Sequence, residues 1–203
     1  WGWVTDPRIR PVQDHAGSGF QSLPRVLSLA NDGTLCITPA PELELLRKNE
    51  RVFENLSLST DSETFLDNVV ETYIELALEI NPANAREVGL KVRFTPDGQE
   101  ETAIWYESAT GKLKVDVTYS TLRKDVVYGE TVFTGYNCQN ASENSKPVYI
   151  VEAPLLLADG EPLKLRVFLD GPMIEVFAND RQCVTQVVYP VSYTPLTLPT
   201  NYS

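Results

Sequence analysis

Two carboxylates are the first residues in this chain that could do chemistry. Asp170 and Glu175 lie five residues apart, on either side of the turn signal Asp170-Gly171. A pair of carboxyl groups flanking one glycosidic bond is the machinery of glycoside hydrolysis, one as acid and the other as base or nucleophile. That chemistry also needs a pocket, which a twisted hairpin does not supply by itself. The competing role for both side chains is structural: fixing the turn, or pairing across strands with Arg166 or Arg181. The structural role is the stronger reading. Three more residues could touch a sugar. Tyr106 and Tyr119 present rings on which a furanose or pyranose face can stack, and Asp116 lies in the loop between them. Packing on a sheet face is the plainer role for such rings.

Other chemistries have little material. The 203 residues contain one histidine, His15, in a polar stretch, and three scattered cysteines, Cys36, Cys138 and Cys183. That is too little for a zinc site, a disulfide framework or a Ser/His triad. No metal or cofactor is expected. With 17 basic against 28 acidic side chains the net charge is −11, which repels a phosphate backbone, so nucleic acid is not an expected partner. No apolar run approaches the ~18 residues of a membrane span. Asn55, Asn140 and Asn201 each open an N-x-S triplet, which leaves a secreted and a cytoplasmic location both open.

The elements that must position these residues are strands. In residues 163–170, Leu163, Leu165, Val167 and Leu169 alternate with Lys164, Arg166 and Phe168. This period of two puts one apolar face against a core. Pro172 lacks an N–H and so belongs at the turn. Ile174, Val176 and Ala178 form the return strand, and Asn179-Asp180 makes a second turn before a third strand. Residues 70–80 show the cleanest alternation. Val70, Thr72, Ile74, Leu76, Leu78 and Ile80 share one face; Glu71, Tyr73, Glu75, Ala77 and Glu79 share the other, and with Glu75 pointing that way Glu75→Ala is expected to be nearly silent. Residues 51–58 read as a further strand, and Pro41 with Glu42 and Glu44 as a short helical turn. Many short alternating strands separated by turn signals mean a β-sandwich.

Several stretches also carry a resemblance. Residues 160–182, GEPLKLRVFLDGPMIEVFANDRQ, match almost position by position the run G-E-P-L-K-L-R-V-F-x-D-x-S-x-I-E-V-F-x-N-x-R-Q. That run resembles the end of the C-terminal β-sandwich of glycoside hydrolase family 32, the invertases, inulinases and levanases. Residues 39–47 resemble its P-A-P-E-L-E-x-L-R, 97–102 its D-G-x-E-E-T and 111–116 its G-x-L-x-V-D. Trp1-Gly2-Trp3-Val4 and residues 19–29, GFQSLPRVLSL, resemble the boundary at which that family's catalytic propeller ends.

The resemblance implies an all-β, antiparallel two-sheet sandwich of the concanavalin- or lectin-like jelly-roll kind, preceded by a remnant of a propeller strand. It implies residues 1–22 as the end of a blade and a linker, 23–190 as the sandwich and 191–203 as an irregular tail. The implied partner is a catalytic propeller. Fructan, sucrose and a second copy of the chain are further partners that relatives suggest. The family's acidic motifs W-M-N-D-P-N-G, R-D-P and E-C do not occur here, so the expected role is accessory. At Asp116 the chain departs from the family's D-R-S-x-S-G: it reads Asp116-Val117-Thr118-Tyr119-Ser120, without the arginine.

Overall fold

The computed structural model describes residues 1–9, 19–59, 63–66, 69, 71–95, 97–129, 132–134, 137–139, 146–191 and 197–202. In chain order the strands are β1 (Trp3–Val4), β2 (Phe20–Gln21), β3 (Arg25–Leu29) and β4 (Leu35–Pro39). A 3₁₀ helix (Pro41–Leu46) follows, then β5 (Glu63–Phe65), β6 (Tyr73–Ile80), β7 (Glu87–Val92), β8 (Thr102–Glu107) and β9 (Lys112–Asp116). Next come β10 (Val132–Thr134), β11 (Asn137–Gln139), β12 (Ile150–Pro154), β13 (Leu163–Asp170), β14 (Met173–Ala178), β15 (Gln182–Val187) and β16 (Thr197–Tyr202).

Two antiparallel sheets form the sandwich. The larger has the order β12-β9-β8-β7-β16-β5 and the smaller β15-β14-β13-β6. Alternation decides which side of each strand faces inward. Along β13, Leu163, Leu165, Val167 and Leu169 are buried while Lys164 and Asp170 are exposed. Their direct partners Ala178, Val176 and Ile174 on β14 continue the same face. Opposite them stand Val88, Leu90, Val92, Ile104, Tyr106, Leu113 and Val115 of the large sheet, all in one core cluster. Fully burying one such side chain contributes about 1.5–3 kcal/mol.

The turns obey their residues. Gly171 takes φ 53° at the first of two loop positions between β13 and β14, with Pro172 at the second. Asn179 and Asp180 take φ 48° and 54°, the pair of left-handed residues that a tight hairpin needs. Gly89 answers a different demand. A Cβ there would lie 1.9 Å from the Ile104 carbonyl oxygen and 2.5 Å from the Trp105 Cα. The β7 and β8 backbones therefore approach more closely than any side chain allows.

The outer side of the small sheet is covered over β14 and β15. β3 and β4 pair as a hairpin, and Ile37 on β4 donates its N–H to the Asp180 carbonyl (2.7 Å). Met173, Phe177 and Val187 point away from the sandwich core and are buried all the same. Residues 6–9 are tied down elsewhere, through Ile9 N–H to Val127 O and Gly129 N–H to Pro7 O, both 2.7 Å.

Three expectations change. Residues 51–58 contain no strand. β6 begins at Tyr73 rather than at position 70, which lies outside the described residues. The tail expected to be irregular holds β16, whose backbone pairs with β7 on one side and β5 on the other. Its Pro/Thr-rich composition hides this, because pairing comes from the neighbouring strands rather than from alternation of its own.

Candidate functional site

The five residues marked for chemistry do not converge. Tyr106 sits on the inner face of β8, opposite Val88 and Leu113, and is buried in the core. Burial removes it from sugar contact. Asp116 ends β9 and accepts the Thr118 N–H (2.7 Å), which fixes the following turn. Tyr119 lies in that turn with 62% of its surface exposed. Asp170 is exposed at the end of β13, directly opposite Tyr73 and Met173.

Glu175 is the sharpest correction. It shares the outer face with Asp170, but only 1% of its surface is exposed. One oxygen, Oε1, accepts the Leu23 N–H at 2.5 Å. The other, Oε2, accepts from Arg25 Nη2 at 2.7 Å and from the Thr185 hydroxyl at 3.3 Å. Its partner is thus Arg25, not Arg166 or Arg181. A carboxylate enclosed and saturated in this way cannot flank a scissile bond with Asp170. The sandwich uses it to seat the segment leading into β3.

Arg166 belongs to Glu75 instead. The Arg47 guanidinium reaches both Glu75 oxygens at 2.7 Å, and Arg166 donates to Oε1 from Nε (2.9 Å) and Nη2 (2.7 Å). Glu44 flanks both arginines, at 3.5 Å from Arg47 and 3.8 Å from Arg166. Glu75, expected to be nearly silent on substitution, is the hub that pins the end of the 3₁₀ helix to β6 and β13. Burial works to raise its carboxyl, and the two guanidiniums outweigh that, holding it below the usual carboxylate range. A folded value depressed in this way stabilises the protein above the unfolded value of about 4.3. That contribution is lost as pH falls through the folded value. Below about pH 4.3, wild-type stability should therefore fall more steeply than that of Glu75→Gln. Urea unfolding along a pH series reads this directly, and parallel slopes would show that the cluster carries no such linkage.

Both arginines that sequence reasoning missed stand inside matched stretches, Arg25 in residues 19–29 and Arg47 at the end of 39–47. A charge held inside such a run was the available signal.

The exposed apolar side chains are not spread evenly. Val26, Leu27 and Leu29 on β3, Leu35 on β4, and Leu45 and Leu46 on the 3₁₀ helix all stand in water, Leu29 and Leu46 at 72% and 73%. They belong to the layer that covers the small sheet. A second feature is an open cleft of about 1990 Å³ between β6 and residues 43–58.

Comparison with known proteins locates this architecture. The family model described as "Glycosyl hydrolases family 32 C terminal" matches residues 42–200. A levanase of Bacillus subtilis is 31% identical over 196 residues, covering 94% of this chain and 25% of the levanase. A sucrose-6-phosphate hydrolase of Zymomonas mobilis is 27% identical over 183 residues, covering 90% of this chain and 30% of that enzyme. Among solved structures, fructan 1-exohydrolase IIa of Cichorium intybus superposes with a TM-score of 0.72 at 18% identity. That match covers 98% of this chain and 41% of the exohydrolase. The chain thus spans well under half the length of each relative. With the family model matching most of its residues, the chain belongs to glycosyl hydrolase family 32, as that family's C-terminal β-sandwich domain.

Proposed function

We propose that this chain is an accessory module of a β-fructosidase-type glycoside hydrolase: it seats and stabilises a catalytic propeller and has no catalytic residue of its own. The observation that carries this reading is the set of exposed apolar side chains over residues 26–46, Val26 and five leucines, on a chain whose net charge is −11. Exposed apolar side chains concentrated in one layer mark an interface. The acidic motifs of the family are missing from the chain, and Glu175 is sealed. The substrates named for the relatives suggest a fructoside for the parent enzyme.

A chimera tests the proposal. This chain would replace the matched C-terminal part of the Bacillus subtilis levanase. Expected are levan hydrolysis and a higher melting temperature than the levanase propeller alone, both reduced by Leu27→Asp with Leu45→Asp. The isolated chain should release no fructose from sucrose, inulin or levan. A chimera indifferent to the two aspartates, or fructose release by the isolated chain, would defeat the proposal.

One observation favours a second reading, fructan contact by the module. Tyr73, 71% exposed, stands directly opposite the exposed Asp170, so a ring and an acceptor share one open edge. Titration with levan and inulin against Tyr73→Ala separates the two readings.

A further inference from the structure

The small sheet stops at β6, which pairs with β13 and with no other described strand. An edge strand leaves a row of N–H and C=O groups without ladder partners. Its core side is also incomplete. Ile74, Leu76 and Leu78 are half-buried, whereas Leu165, Val167 and Leu169 on β13 are fully enclosed. The cause is the open cleft beside β6. Its inner wall is apolar: Leu66, Val69, Ile74, Leu76, Leu78 and Val88.

Residues 51–58 run along the other side of this cleft without forming a strand. Their pattern is that of a strand. Val52, Leu56 and Leu58 fall on one side together with Glu54, and Arg51, Phe53, Asn55 and Ser57 on the other. Val52 and Leu56 are exposed, and Leu58 is half-buried. One left-handed residue interrupts the extension, Asn55 at φ 57°, and another, Asn49 at φ 55°, comes just ahead of it. Asparagine tolerates that conformation, and a β-branched residue does not.

We propose that residues 51–58 are a strap that closes on β6 as a fifth strand of the small sheet, with Asn55 as its hinge. The reach fits. Just ahead of the strap, Arg47 is bound to Glu75 near the start of β6. Just after it, the chain enters β5 of the facing sheet. The two ends of the strap therefore bracket the cleft. Fully extended, the eight residues span about 26 Å, the length of β6 itself. Closing turns Val52, Leu56 and Leu58, with Glu54 on the same side, toward the cleft wall and gives β6 partners along the edge that no other described strand covers. One movement meets both deficits. Closure of the strap requires neither a propeller nor a bound sugar.

Hydrogen exchange on the whole, unglycosylated chain tests it, read residue by residue over 51–58 and 73–80. Expected is joint protection of strap amides and of the outward-facing β6 amides. Asn55→Val penalises the left-handed hinge and should raise that protection roughly tenfold, while Asn55→Gly should lower it. Unprotected exchange of residues 51–58 in both wild type and Asn55→Val would overturn the proposal. So would protection that grows with protein concentration, because the edge would then be covered by a second copy.

Discussion

Glu175→Ala is expected to cost about 3–5 kcal/mol of folding stability. The substitution removes the shared acceptor of three donors at once, the Leu23 N–H, the Thr185 hydroxyl and the Arg25 guanidinium, and leaves Arg25 only its bond to the Thr185 hydroxyl oxygen (2.5 Å). Arg25 keeps a quarter of its side chain in contact with water. It can recover part of its hydration, which places the expected loss in the lower half of that range. Glu175→Gln keeps an acceptor for Leu23 and should cost less. Asp170→Asn, on the same face but exposed, should change stability by no more than about 0.5 kcal/mol. Urea midpoints for the three variants decide the matter. Equal midpoints for Glu175→Ala and Asp170→Asn would mean that the seat beneath β3 contributes nothing.

Gly89→Ala should be severely damaging for a single added methyl, at about 3 kcal/mol. Most small-to-large changes are absorbed by neighbouring side chains that shift. Here the obstacles nearest to the new methyl are backbone, the Ile104 carbonyl and the Trp105 Cα. Relief requires β7 and β8 to move apart and so loosens the ladder between them. Gly33→Ala is the informative contrast, since nothing lies within 4 Å of the place its methyl would take and only its φ of 85° resists. Thermal melts of both variants give the comparison, and a Gly89→Ala melt as mild as that of Gly33→Ala would show that the close approach is easily relaxed.

These two sites show which parts of the molecule were legible in the sequence. Alternation in residues 163–170 and 174–178 specified strands, inner faces and turns, because a period of two is a local property. The partner of Glu175 was not local. Arg25 lies 150 residues away, and nothing in the hairpin's own sequence distinguishes a carboxylate under a lid from one in water. Glu75 was misjudged for the same reason: alternation gives the side of a sheet, not what covers that side. Tyr106 failed in the opposite sense. Its proximity to Asp116 and Tyr119 in sequence suggested a shared surface, but its place on β8 turns it into the core. Residues 51–58 show a limit of another kind, since a strand pattern describes what a segment can pair with and not whether it is paired.

The layer over Glu175 also bears on where the folding unit begins. The family match opens at residue 42, yet Leu23 and Arg25 lie upstream of that limit. Cutting the chain at the start of the match would leave every strand of both sheets in place and still uncover a carboxylate that the native fold keeps dry. The stretch shared across the family and the stretch that satisfies its own interior are therefore not the same length. The difference is a hairpin whose outer side faces elsewhere, so that one short piece of chain completes the sandwich beneath it while presenting its leucines above.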